Sequence, residues 1–258
     1  MKDRKHRFLI NSSNIIAGVS ALILSLILSA CSGPAKQTVD VSKGQTKIQL
    51  VGKDFSAWRE NTGTWQVVGE AAMDQKNKKL ITTKPGSGVM VADGKTVYLF
   101  SKEEFGDLKA HIEFMVPRGS NSGVYFMGRY EIQIFDSFGV KKPRFSDCGG
   151  IYQRWDENRK PKGYEGTPPR VNVSLPAGQW QSFDVIFRVP RFDKNGKKIA
   201  NARFEKVLHN GTLVHENVEV TGPTRASVYE DEKATGPLVL QGDHGPVAFR
   251  NVWVVKLP

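Results

Sequence analysis

Cysteine is nearly missing from this sequence: two occur in 258 residues, beside five histidines. No C-x-x-C pair is present, which excludes a zinc-ribbon or zinc-finger site. One cysteine, Cys31, closes an export signal described below. Cys148 therefore has no partner for an internal disulfide. In its setting, Asp147-Cys148-Gly149-Gly150, it reads as a small buried hydrophobe rather than a thiol nucleophile. Also missing is any amphipathic helical pattern of about 12 residues, and no repeat of fixed period is visible. The formal charge is +11, yet no dense Lys/Arg stripe interleaved with aromatics exists. Four of the cations and one acid fall in residues 1–30. A scattered basic surface of this kind excludes a nucleic-acid partner.

The longest apolar run, residues 15–28, falls short of the ~20 residues that span a bilayer as a helix. It follows a basic patch of Lys2, Arg4, Lys5, His6 and Arg7 and ends in Leu28-Ser29-Ala30-Cys31. A positive start, a short apolar middle and small residues at the cut define an export signal. A cysteine at this point resembles the lipobox of bacterial lipoproteins. The expectation is a signal over residues 1–30, removed so that Cys31 carries lipid in the bilayer, and a tether over 31–47 with Pro34, Ser42 and Gly44. Ser32, with no aspartate there, leans towards the outer membrane of the cell envelope by the same resemblance. Residues 48–258 then form one domain, long enough to bury a real core.

Strand signals fill that domain. Residues 108–116 alternate cleanly, with Leu108, Ala110, Ile112, Phe114 and Val116 on one face. Residues 97–100, 123–127, 130–135, 181–189, 238–241 and 247–257 also read as strands. Residues 204–209 and 212–218 flank Asn210-Gly211, a type I′ hairpin signal. Many short strands with Gly/Pro/Asn/Asp turns predict an all-β sandwich of two antiparallel sheets. Two long irregular stretches, 141–148 and 155–170, are candidates for functional loops.

The chemistry concentrates in residues 121–137. Strict alternation puts Glu131, Gln133 and Phe135 on one face and Ile132, Ile134 and Asp136 on the other. Burying Asp136 unpaired beside isoleucines is costly. A one-residue bulge near Phe135 would bring Glu131, Gln133 and Asp136 together. The plain alternative is a solvated strand face ending in a turn aspartate. The E-x-Q-x-x-D spacing resembles the E-x-D-x-x-E strand of sandwich glycosidases, with a neutral amide at its centre. Near the C-terminus, Gln241-Gly242-Asp243-His244-Gly245-Pro246 offers His244 as a neutral base or a metal ligand, the plain alternative being a turn histidine. Tyr152, after Gly149-Gly150-Ile151, can stack on a sugar ring or pack in the core. His111, His209 and His215 lie on alternating strands and are expected at the surface.

Taken together, Asn121-Ser122-Gly123-Val124-Tyr125-Phe126, Gly128-Arg129-Tyr130-Glu131-Ile132-Gln133-Ile134, Cys148-Gly149-Gly150-Ile151-Tyr152, Gly178-Gln179-Trp180, His209-Asn210-Gly211 and Gly236-Pro237-Leu238 resemble the domain of unknown function 1080. Phe55-Ser56-Ala57-Trp58 and Thr64-Trp65 match as well. The family is also named for 3-keto-disaccharide hydrolysis, 3-keto-glucoside 1,2-lyase and 3-keto-2-hydroxy-glucal hydratase activity. Met127 departs from its pattern, and the stretch before His244 is one residue longer than the family's Gln-Asp-His-Gly. The resemblance implies a concanavalin-like jelly roll acting on a 3-keto sugar. A ketone at C3 acidifies the C2 proton, so a base can drive loss of the aglycone from C1, and water can add back to the glycal. Glu131, Asp136 and His244 are the expected catalytic groups. Asn121, Tyr125, Arg129, Gln133, Tyr152 and Gln241 are the expected substrate contacts. A divalent metal ion is one way to clamp the enolate. Two other readings use the same residues: a non-catalytic carbohydrate-binding sandwich, and a retaining glycosidase working with Glu131 and Asp136. For the anchor, Cys31→Ala should free the protein from membranes or stall its processing. Fatty-acid label still present on that variant after fractionation would contradict the lipobox.

Overall fold

The computed structural model describes residues 45–258. The signal, Cys31 and most of the tether lie outside the described residues. No helix occurs among the described residues. The strands, in chain order, are β1 (Ile48–Gln49), β2 (Gln66–Met73), β3 (Ile81–Asp93), β4 (Leu99–Phe105), β5 (Leu108–Met115), β6 (Asn121–Phe126), β7 (Tyr130–Phe135) and β8 (Arg154–Trp155). They continue with β9 (Gly163–Tyr164), β10 (Gln181–Arg188), β11 (Arg191–Phe192), β12 (Lys198–Ala200), β13 (Ala202–His209), β14 (Thr212–Val220), β15 (Gly236–Leu240) and β16 (Pro246–Lys256).

These strands build two antiparallel sheets. The larger runs β14-β13-β10-β5-β16-β3-β2, with β1 pairing the far half of β16. The smaller runs β4-β15-β6-β7. The alternation read in 108–116 appears directly: Leu108, Ala110, Ile112 and Phe114 are buried, and Lys109, His111 and Glu113 are half-buried between them. Asn210 and Gly211 both have positive φ, 51° and 78°, as a type I′ hairpin between β13 and β14 requires. Strands β2 and β3 had no clear signal, because β3 contains Pro85, Gly86 and Gly88 and exposes most of its first half.

The sheets face each other across an aromatic core. Phe126 of β6 meets Phe187 of β10 at 5.2 Å and Phe204 of β13 at 5.3 Å, and Tyr130 of β7 meets Phe187 at 5.5 Å. Ile132, Ile134 and Val124 join the same cluster. The smaller sheet therefore turns its even-numbered β6 and β7 residues inward and its odd-numbered ones outward.

The histidines correct the sequence reading. His209 and His215 are fully buried. His209 Nε2 pairs with Gln181 Oε1 at 3.0 Å, and His215 Nε2 with the Gly149 carbonyl at 2.6 Å. Burial drives their pKa values down to about 3 and about 4, so both are neutral. His111 is half-buried and bonds to Asp184 at 2.8 Å. His209 and His215 face groups distant in sequence, so neighbouring residues gave no sign of them, whereas His111 also meets Glu113, two residues on, at 3.5 Å. Cys148 is buried as expected, and burial pushes its thiol up to about 12.

The inter-sheet cluster sets the stability. Phe187→Ala should cost about 3–5 kcal/mol. Truncating Phe138, which is 60% exposed, should change stability by no more than about 0.5 kcal/mol. Urea unfolding of the two variants decides this, and equal losses would place the core elsewhere.

Candidate active site

The outward face of the smaller sheet carries the cleft. Strands β6 and β7 pair without a register shift: Asn121 opposes Phe135, Gly123 opposes Gln133, and Tyr125 opposes Glu131. Alternation then sends Asn121, Gly123 and Tyr125 out beside Glu131 and Gln133. On the other side of β6, β15 pairs Val239 with Tyr125, and the following Gln241 amide donates to the Gly123 carbonyl. The resulting cleft, about 270 Å³, is lined by Asn121, Tyr125, Glu131, Gln133, Tyr152, Arg225, Ala226, Gln241 and His244. It lies near the small end of the range for small-molecule sites.

Glu131 sits at its floor, only 3% exposed. Its carboxyl rests over Gly123, where a Cβ would fall 2.3 Å from Glu131 Oε1. Burial pushes its pKa up to about 8; the charge of Asp243 adds to the rise, and a hydrogen bond from Tyr125 opposes it. The group is mostly protonated at neutral pH. Tyr125 is held in turn. Tyr98 stacks on it at 5.9 Å, and Gln241 Nε2 donates to the hydroxyls of Tyr98 at 3.0 Å and Tyr125 at 3.4 Å. Burial raises the pKa of both phenols, which stay neutral donors.

His244 reaches the cleft from the turn after β15. Its Nδ1 meets Asp243 Oδ1 at 2.5 Å. In the tautomer that donates Nδ1–H to this carboxylate, the Nε2 lone pair is the accepting atom. Two amides complete the floor. Asn121 Oδ1 and Gln133 Oε1 are buried and have no hydrogen-bond partner among the described residues. Buried acceptors without donors are costly, and hydroxyl groups of a sugar in the cleft would satisfy both. Tyr152 forms a wall, braced edge-on by Phe145 at 5.6 Å.

Two expected site residues lie elsewhere. The predicted bulge near Phe135 is absent, and Asp136 does not line the cleft. The strand ends at Phe135 instead; the Asp136 amide donates to the Ser120 carbonyl, and its Oδ2 accepts from the Gly119 amide at 2.8 Å. Ending the strand is a second way to avoid burying that carboxylate among isoleucines. Arg129 is buried, and its guanidinium donates to the Met127 carbonyl and, at 2.6 Å, to Asp231 Oδ1. It ties down the segment 221–235 and makes no wall of the cleft. That segment supplies Arg225 and Ala226, which the sequence reading missed. Its one signal was a long stretch without alternation, rich in charge. The expected loop 155–170 contributes only from behind, through Trp155 under Arg225. The possible metal clamp finds no cluster of three or more His, Cys, Asp or Glu ligands among the described residues.

A two-sheet sandwich with a buried, proton-holding carboxyl and a carboxylate-fixed imidazole in one polar cleft has the equipment of a sugar-processing acid–base enzyme. The chain belongs to the 3-keto-alpha-glucoside-1,2-lyase-like domain family, whose sequence model matches residues 46–255. Its activity is of the kind that cleaves 3-keto-glycosides. No curated protein matches it. Among solved structures it is similar to three candidate glycosyl hydrolases from Parabacteroides distasonis. One is 24% identical, with 82% of this chain and 84% of that one covered, at a TM-score of 0.61. A second is 19% identical over 82% of this chain and 100% of that one, at 0.54. The third is 16% identical over 86% and 100%, at 0.53. These likenesses concern the fold.

The raised Glu131 pKa has a consequence for stability. The folded state keeps its proton from the ordinary 4.5 up to about 8, while the unfolded chain has released it. Stability is thus lost as pH rises through that window. Glu131→Gln removes the loss, which is on the order of a few kcal/mol. The variant's gain in melting temperature over wild type should be small at pH 5 and largest at pH 9. A pH-independent difference would mean that the carboxyl is solvated.

Proposed function

We propose that the protein eliminates the aglycone from a 3-keto-glucoside across C1 and C2, with His244 as proton acceptor and Glu131 as proton donor. The observation that carries this reading is the pairing in one cleft of a carboxyl that holds its proton to about pH 8 with an imidazole whose Nδ1 is engaged by Asp243. His244 Nε2 takes the proton from C2, and the C–H electron pair moves into a C2–C3 double bond as the C3 ketone becomes an enolate. The enolate collapses back to the ketone, a C1–C2 double bond forms, and the C1–O bond breaks. Glu131 gives its proton to the departing oxygen. Both groups end in the opposite protonation state. That is the state required to add water, with hydroxide to C1 and a proton to C2, for net hydrolysis. Asn121, Gln133, Tyr152 and Gln241 would hold the ring.

The competing readings draw less support. A retaining glycosidase needs a second carboxylate about 5–5.5 Å from the first, and Asp136 is engaged by the Gly119 amide outside the cleft. A sugar-binding module has no use for a carboxyl poised near pH 8. We further read the sandwich as a concanavalin-like jelly roll, a reading supported by its two antiparallel sheets and by the pairing of the first strand with the last. We also read Cys31 as a lipid anchor holding the enzyme in the cell envelope, with the outer membrane favoured by Ser32.

Glu131→Gln and His244→Ala should each slow glycal formation from a 3-keto-glucoside by roughly 10²–10⁴. Asp136→Asn should stay within a few-fold of wild type. In wild type the rate should fall above pH ~8 as Glu131 loses its proton. The same glucoside without the keto group should not turn over. Near-normal rates in Glu131→Gln, or cleavage of the unoxidised sugar, would defeat this mechanism.

A further inference from the structure

We propose that Arg225 binds the C3 oxygen of the sugar as it changes from ketone to enolate, and that the segment 221–235 is clamped to β7 to hold it there. This rests on the elimination reading above. That reaction places a full negative charge on one oxygen that neither Glu131 nor His244 neutralises. Among the cleft-lining residues, Arg225 is the one side chain that is always cationic. Its guanidinium lies over the Trp155 ring, 3.9 Å from the centroid. Trp155 is itself fixed through Nε1 to Glu157 Oε1 at 2.7 Å. The charge of Glu157 acts on the guanidinium from nearby, but no carboxylate or carbonyl among the described residues accepts a hydrogen bond from it, whereas Arg129, Arg188 and Arg191 are all bonded to acids. A stacked guanidinium with free N–H donors at a cleft wall is equipped for an oxyanion.

The clamp is specific to this segment. Arg129 holds Asp231, and the Tyr130 hydroxyl donates to Glu232 Oε1 at 2.6 Å. The Thr224 amide donates to the Arg129 carbonyl at 2.9 Å, and the Glu131 amide to Thr224 Oγ1 at 3.2 Å. The residues immediately before the proton donor thus grip the segment that carries the cation. Ala226 adopts φ 59°, a strained value for a residue with a Cβ, one position after Arg225. Such strain persists only where the surroundings enforce it. Asp231 is a positioning residue in this scheme, and Arg225 a catalytic one.

The test is steady-state kinetics on a 3-keto-glucoside with melting temperature in parallel. Arg225 is exposed, so Arg225→Ala should fold normally. Its kcat should drop by about 10²–10³, the cost of removing one oxyanion donor, while KM changes only a few-fold. Arg225→Lys should retain part of the rate, and added guanidinium chloride at non-denaturing concentration should restore part of it to Arg225→Ala. Asp231→Ala should lower kcat in the wild-type background and do nothing more in Arg225→Ala, because it acts through the arginine. Wild-type turnover with near-normal kcat in Arg225→Ala overturns the inference and leaves the elimination standing. Full additivity of the two variants overturns the clamp alone. No turnover of the keto sugar by folded wild type overturns the elimination reading, and the role of Arg225 with it.

Discussion

The cleft depends on a carboxyl group sealed into a sheet face. Glu131 lies almost wholly out of water, and holding it there opposes its ionisation. Three features make the burial tolerable. Gly123 leaves the space that the carboxyl fills, Tyr125 donates a hydrogen bond from the strand opposite, and the proton stays on at neutral pH. All three need the β6–β7 register as it stands. A slip of one residue would turn Glu131 towards Phe187 and the isoleucines and bring Ile132 out to the cleft. The aromatic contacts on the inner face therefore do more than stabilise the fold, because they fix the register that positions the carboxyl.

Strand β7 is the edge of the smaller sheet, and an uncovered edge invites pairing with other chains. Here it is covered by two pieces of irregular chain. The Gln133 amide donates to the Gly150 carbonyl, the Gly149 amide to the Gln133 carbonyl, and the Tyr152 amide to the Glu131 carbonyl. On the remaining stretch, Thr224 accepts from the Glu131 amide. One cover brings Tyr152 to the cleft and the other brings Arg225. The same hydrogen bonds that protect the edge thus assemble the walls around the carboxyl. His215 supports the first cover from beneath by bonding to the Gly149 carbonyl.

Legibility in the sequence followed the range of the interactions. Strand alternation is local, so β5, β7, β10 and the Asn210-Gly211 hairpin were readable from a few residues each. The outward pairing of Glu131 with Gln133 follows from the same period, and the motif around them carried the family. Asp136 was misplaced because alternation cannot say where a strand stops; the amides of Gly119 and Asp136 decided that, through partners on a neighbouring turn. Arg129 looked like a sugar contact because its partner Asp231 lies in a segment with no regular pattern. Arg225 was invisible for the same reason. Its approach to the cleft exists only because residues about a hundred positions earlier grip its segment.

The substrate explains why so few charged groups are needed. An ordinary glycoside gives its enzyme no electron sink, so two carboxylates must flank the bond and support a cationic transition state. A 3-keto sugar carries its own sink in the carbonyl. The protein is left with two proton transfers and one developing anion. Such a division of labour favours a carboxyl that burial keeps protonated at neutral pH, as it does Glu131, over a permanently ionised pair. It also asks for positive charge at the place where a glycosidase would want negative charge. A cleft with one protonated carboxyl on its floor and a guanidinium on its rim matches the polarity of elimination and opposes that of direct displacement.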